Sequence, residues 1–260
     1  MKSLKQFWEL REGLYDPGIF KAIFLAGGPG SGKSYVVKRT TGGLGLKVVN
    51  SDDVYEKMLS DVGLDTTPED IYSDLGQETR EKAKGVTKRM QGNYLAGRLG
   101  IIIDGTGKDY DKITAQADKL KKLGYDVSMI FVDTSLDTAQ EQNRKRKRTL
   151  PDSDVEKMWN DVQKNKDRFA AYFGSDYIRV ENNMAGEDVF AKVWKRVRAM
   201  VSKKVSNPIA KAWMSAELQK KKSSSSASAT PISIQQSNSG GRRVSDRMSS
   251  GSTSVRVRKN

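Results

Sequence analysis

The chain has 260 residues, 36% of them apolar, with 46 Lys/Arg against 32 Asp/Glu and neither cysteine nor histidine. Disulfides, thiolate nucleophiles, zinc–thiolate centres and Ser-His-Asp catalysis are therefore excluded, and acid–base chemistry falls to carboxylates, lysine, tyrosine or water. Of the net charge of +14, +10 lies in residues 201–260, where twelve Lys/Arg face only Glu217 and Asp246, so the basic character belongs to the C-terminal tail and not to a DNA-binding core.

In chain order, residues 1–20 read as a lead-in. Phe7, Trp8 and Leu14 pack it on the core, and turn signals stand at Gly13 and Asp16-Pro17-Gly18. A partner-docking or targeting segment is the alternative. Ala22–Ala26 is an apolar strand running into Gly27-Gly28-Pro29-Gly30-Ser31-Gly32-Lys33-Ser34. This is the G-x-x-x-x-G-K-[ST] phosphate loop, whose backbone N–H groups cradle phosphates while the lysine reaches the β/γ-phosphates and the hydroxyl takes Mg²⁺. Gly28, Pro29, Gly30, Ser31, Gly32, Lys33, Ser34 and Tyr35 are the candidate contacts for ATP or GTP, with Ser34 also a metal ligand. A glycine-rich turn without a ligand is the plain alternative.

Tyr35–Thr41 continues as a helix that Gly42-Gly43 ends. Lys47–Asn50 is a second strand, and it delivers Ser51-Asp52-Asp53 to the edge where parallel α/β sheets bind ligands. Asp52 is the candidate general base, although Ser51 or Asp52 would equally serve to cap the helix that runs to Asp61. Beyond a loop at 63–75, a long polar helix spans about residues 77–98, with Val86, Met90, Tyr94 and Leu95 on its covered face. Leu99–Ile103 is a buried strand that ends on Asp104, the metal-side candidate, acting directly or through water. A helix over 111–123 and an alternating strand over 125–132, ending at Asp133, follow.

The next helix, from about Leu136, carries Asn143-Arg144-Lys145-Arg146-Lys147-Arg148 and closes at Pro151. The run is either a solvated basic face or a lid whose arginines neutralise a transferring phosphoryl group. One helix over 152–173, with Trp159, Phe169, Tyr172 and Phe173 as core contacts, a fifth strand over 177–180 and a helix over 186–201 complete the domain. This alternation predicts a three-layer α/β fold of the P-loop NTPase type, with a parallel five-stranded sheet, over residues 21–202. Pro208 interrupts the chain. Residues 203–222 form a short helix or linker, weakly amphipathic through Ile209, Trp213 and Leu218. From 223 to 260 the Ser-rich, basic chain is expected to be disordered, since it buries too little apolar surface to offset its ordering entropy. Its arginines suit nucleic acid or another acidic partner; a solvated tail with no partner is the alternative. No apolar run approaches the roughly 18 residues of a membrane span, and a soluble, cytoplasmic protein without a membrane partner is expected.

The phosphate loop, the Asp52-Asp53 pair, Ile102-Ile103-Asp104-Gly105-Thr106 and Asn143-x-x-Arg146-x-Arg148-x-x-Pro151 are, at this spacing, similar to phage polynucleotide 5′-kinases and the related zeta-toxin kinases over most of residues 21–151. More loosely, residues 1–220, including Ser51–Tyr55 and Asp104–Tyr110, resemble kinase-like proteins of large tailed phages. The resemblance implies an ATP-dependent kinase using Mg²⁺, placed in the host cytoplasm if phage-encoded, with the phosphate-loop strand beside the Asp104 strand. It implies Asp52 as general base, Arg146 as lid arginine on the transferred phosphate, and Arg148 or Arg144 as helpers. It leaves the acceptor open, because Tyr55 and the lack of histidine match neither group on the acceptor side. Candidates are the hydroxyl of a polynucleotide 5′ end or nucleotide-like molecule, or a nucleoside monophosphate, for which Tyr55 and the helix from Gln77 would line the pocket. The competing reading is a nucleotide-binding or ATPase module acting in assembly or nucleic-acid handling through the tail.

Overall fold

The computed structural model describes residues 14–146, 149–183 and 186–227. Phe7, Trp8, Arg148 and the expected tail from 228 onward lie outside the described residues.

β1 (Lys21–Ala26) is buried along its whole length because it occupies the centre of a five-stranded parallel sheet of order β2-β3-β1-β4-β5. Its companions are β2 (Lys47–Val49), β3 (Ile101–Asp104), β4 (Asp126–Asp133) and β5 (Tyr177–Glu181). β1 pairs with β3 on one side and β4 on the other, the neighbourhood the resemblance implied. All strand ends therefore open at one edge of the sheet, where ligands of such folds bind. β4 does not alternate as expected: everything from Val127 to Asp133 is buried, because helices cover both faces.

On one face, α1 (Lys33–Thr41) and α9 (Glu187–Ser202) pack Val36, Phe190, Val193, Val197 and Val201 against Ile23, Leu25, Ile130 and Ile178. The three- and four-residue spacings in α9 make one apolar stripe. On the other face, α5 (Tyr110–Lys122) and α8 (Lys166–Phe173) set Ala117, Leu120, Phe169 and Phe173 against Phe24, Ile101, Met129 and Phe131. Each large side chain buried in these layers contributes about 1.5–3 kcal/mol. The architecture is the three-layer P-loop fold.

A separate small core, made of Tyr55, Leu59, Ile71 and Ala83, joins α2 (Ser51–Asp61), α3 (Pro68–Tyr72) and α4 (Asp74–Ala96). α4 differs from expectation in what it buries: Gly76, Thr79 and Ala83, with Tyr94 and Leu95 half-buried at its far end. Small residues are needed there, since a Cβ on Gly76 would stand 2.0 Å from the Asp70 carbonyl oxygen.

The remaining helices are α6 (Leu136–Arg144), α7 (Asp152–Gln163) and α10 (Pro208–Ala227). The single helix expected over 152–173 is two, α7 and α8, broken at Lys164-Asn165. Asn165 explains the break, for its Nδ2 donates to the carbonyls of Gly107 (3.1 Å) and Lys108 (2.9 Å) at the foot of α5. Pro208 begins α10 rather than interrupting the chain, as suits a residue lacking an N–H at the first helical position. α10 docks through Ala210 and Trp213, not Ile209 or Leu218, which are exposed. The Trp213 ring meets Phe20 edge-on at 5.5 Å. Leu14, Phe20 and Ala210 thus extend the core beyond residues 21–202, and the helix runs through Ser223 to Ala227, where disorder was expected.

Candidate active site

The loop after β1 is gripped first by β3: Gly27 N–H donates to the Thr106 carbonyl (3.0 Å), and Gly105 N–H to that of Leu25 (3.1 Å). On its other side it lies against α6 so closely that a Cβ on Gly30, whose φ is +70°, would stand 1.9 Å from the Ala139 carbonyl oxygen. Only glycine fits a left-handed position with no room above it. From β5's end, Asn182 donates through Nδ2 to the Ser31 carbonyl (2.9 Å), and its own N–H is held by the Asp133 carbonyl (2.8 Å). Trp159 of α7 closes the remaining flank. It is half-buried, not a core residue, and its Nε1–H donates to the Thr134 carbonyl at 2.8 Å.

What this grip presents is a set of donors. α1 starts at Lys33 with no side-chain cap and no acidic residue in its first turn, so its first N–H groups are left for an anion. Ser31 Oγ is buried without a partner. The Lys33 ammonium rests on the carbonyls of Gly27 (2.6 Å) and Gly28 (3.0 Å). Burial pushes its pKa down to about 8. The charges of Asp104 and Asp52 oppose that fall, and Arg146 adds to it. Lys33, Asp52, Asp104 and Arg146, singled out in the sequence, are thereby brought within electrostatic reach of one another.

Asp104 ends β3 opposite Leu25. Burial above all raises its pKa; Lys33 draws it back, Asp53 and Asp52 push it further up, and the Gly105 N–H lowers it. Its Oδ1 is buried with no hydrogen-bond partner, an arrangement that a cation would complete. Among the described residues no group of three or more carboxylates forms a metal cage. Ser34 and Asp104 together with phosphate oxygens match the way Mg²⁺ is held, by few protein ligands plus substrate.

Neither Ser51 nor Asp52 caps α2. Asn50 does, accepting from Asp52 N–H (2.9 Å) through Oδ1 and donating to Asp53 Oδ1 (2.9 Å) through Nδ2. The Asp52 carboxylate is exposed and free of that structural duty. Asp53 is raised by partial burial and by the Asp52 charge, against the Asn50 hydrogen bond.

The basic run is not one helical face. α6 stops at Arg144, and the segment after it is tied by Asn143, which is fully buried and bonds both the carbonyl (2.8 Å) and the N–H (3.2 Å) of Leu150. Arg144 pairs with Asp152 (2.5 Å) and Lys145 with Glu141 (2.6 Å), both at the surface. Arg146 has no carboxylate partner among the described residues and acts on Lys33 instead. The Tyr35 ring is half-exposed against Phe190, edge-on at 5.4 Å, with the Arg39 guanidinium 5.6 Å from its centre. Its side chain belongs to the outer surface of α1 and α9, not to the loop. Asn182 and Trp159 were missed in the sequence because each acts through a fold contact that no local motif encodes; Asn50 is a local N-cap, a signal the sequence held but that was given to Ser51 or Asp52.

A family model described as an AAA domain matches residues 23–170. Among solved structures, the complex of AvrRxo1-ORF1 and AvrRxo1-ORF2 with sulphate ions aligns with a TM-score of 0.50 at 16% identity, covering 72% of this chain and 66% of that one. A gluconokinase from Sinorhizobium meliloti 1021 aligns at 0.42 and 16%, over 71% of this chain and 93% of that one. The Pnkp1/Rnl/Hen1 RNA repair complex aligns at 0.45 and 23%, over 57% and 46%. The first of these is a likeness of fold alone. No curated protein matches the chain.

Proposed function

Because the chain belongs to the AAA domain family, with the phosphate loop at the centre of its sheet edge, we propose that it is an ATP-dependent kinase moving the γ-phosphate to an acceptor hydroxyl. The acceptor is a polynucleotide 5′ end or a nucleotide-like molecule, in the manner of the polynucleotide 5′-kinases and zeta toxins of the sequence resemblance. The observation that carries this reading is the buried Lys33 ammonium, seated on the loop carbonyls, with the charges of Asp104, Arg146 and Asp52 acting on it. A nucleotide-binding module needs the loop alone; a phosphotransferase also needs a base and a second cation.

The loop N–H groups and Lys33 bind the phosphates of ATP or GTP. Ser34 and Asp104 would hold Mg²⁺, which would supply charge neutralisation to the phosphates. Asp52 takes the proton of the acceptor hydroxyl as its oxygen bonds phosphorus, and the bond from phosphorus to the β–γ bridging oxygen breaks to leave the nucleoside diphosphate. Arg146 offsets charge on the phosphoryl group in transit. The tail of residues 228–260 offers its basic charge to an acidic partner, and the cytoplasm is the proposed place of work.

The test is transfer from labelled ATP with Mg²⁺ to a panel of 5′-hydroxyl oligonucleotides, nucleosides and nucleotide sugars. Transfer that collapses in Asp52→Ala supports the kinase. No transfer to any acceptor, with Asp52→Ala hydrolysing ATP as fast as the parent chain, overturns it.

A further inference from the structure

Over α2, the helix that carries Asp52, the structure leaves a cation without a counter-charge among the described residues. Arg80, on α4, lays its guanidinium 5.5 Å from the centre of the Tyr55 ring. It is half-buried, yet among the described residues it has neither a carboxylate within ion-pair distance nor a carbonyl to donate to. Its nearest acidic neighbours on α4 are spoken for: Glu78 by Lys82 (2.7 Å) and Glu81 by Lys84 (2.6 Å). Beneath it, Tyr55 is 2% exposed, and its hydroxyl is buried without a partner. Two adjoining groups therefore have donors to give and no acceptor to take them.

Tyr55 lies three residues after Asp52 on α2, a spacing that sets side chains about 5–6 Å apart on one helix face. Leu59, Ile71 and Ala83 fix its ring from behind, so the ring is a rigid platform and the guanidinium on it keeps its fork free for an oxyanion. We propose that Arg80, supported by Tyr55, is the acceptor-side anion site, and that the acceptor carries a phosphate or carboxylate of its own besides the hydroxyl that Asp52 serves. This rests on the kinase reading and deepens it: neutral polyols and unphosphorylated nucleosides are the poor acceptors.

The probes are ribose, ribonate and ribose 5-phosphate, which share a polyhydroxyl chain and differ in charge. Each is titrated by ligand-observed NMR into the full chain saturated with a non-hydrolysable ATP analogue and Mg²⁺, so that the phosphate loop is already filled. One or both anionic probes should bind at least tenfold tighter than ribose, and which of them does so separates a phosphate from a carboxylate site. In Arg80→Met, which keeps an apolar stem on the Tyr55 ring, that preference should vanish. Arg80→Lys should keep part of it, and analogue affinity and melting temperature should hold in both. A preference that persists in Arg80→Met, or equal binding of all three probes to the parent chain, overturns the site. Failure of the analogue to bind the parent chain overturns the kinase reading instead.

Discussion

Around Gly27–Ser34 the chain is held by backbone from β3 and α6 and by the ends of β4 and β5, whereas Asp52 rides on helices whose buried contacts are chiefly with one another. The first region is fixed by hydrogen bonds and close approaches that leave only glycine room. The second is fixed by four apolar side chains in a core of its own. Phosphate recognition needs N–H groups already aimed, so that little reorganisation remains when the anion arrives. Acceptor recognition needs a surface that differs from one kinase to the next, and a small independent core is a unit that can change without disturbing the loop. One chain thus carries a half fixed by backbone contacts and a half fixed by side-chain packing.

The largest effect that would break this division is at the proposed base. Asp52→Asn should lower phosphoryl transfer by about 10²–10⁴-fold while leaving nucleotide affinity as it was, measured by steady-state turnover beside equilibrium nucleotide binding. A matching loss of nucleotide affinity would mean that the two halves are not separable. Next, Leu59→Ala empties the centre of the small core and should cost about 2–5 kcal/mol there. Hydrogen exchange should show α2 and α4 opening while the amides of β1 and α1 stay protected. Asn182→Ala works on the other half. It strips one hydrogen bond from the Ser31 carbonyl and should weaken nucleotide binding by about five- to tenfold, with the acceptor KM unchanged.

The smallest effect is a titration. Lys33, with a pKa of about 8 in the free protein, is charged below that value and neutral above it. Anionic phosphates prefer the charged form, so nucleotide affinity should fall as pH rises through 8, by roughly fourfold at pH 8.5. Calorimetry in buffers of different ionisation enthalpy should then show proton uptake on binding near pH 8. Acceptor binding at the proposed site on Arg80, a group that stays protonated throughout, should not follow that curve.

The rigid half was the legible half. Gly27–Ser34 spells its geometry in consecutive residues, and Asp52 and Asp104 were found because each follows a short apolar strand. Asn182 carries no such mark. It is one polar residue past β5, 151 positions from the carbonyl it holds. The boundary between α7 and α8 was unreadable for the same reason, since the helical pattern continues through Asn165 and only its bonds to the Gly107 and Lys108 carbonyls end the helix. Trp159 looked like core because aromatic residues usually are, yet its indole N–H reaches Thr134 beside the loop. Tyr55 and the helix around Arg80 could be associated with an acceptor from sequence. That the guanidinium lies on the ring and lacks a counter-charge required coordinates.

Asn143 has one more consequence. Because its amide takes both the carbonyl and the N–H of Leu150, with the Arg144–Asp152 pair as a second tie, the segment that includes Arg146 is fastened at its two ends, like a bracelet at its clasp. Residues could be gained or lost between the two ends at little cost in closure entropy, and Arg146 would be carried nearer to or farther from Lys33 with the sheet untouched. The reach of the proposed phosphate-neutralising arm is thereby adjustable independently of the loop it serves.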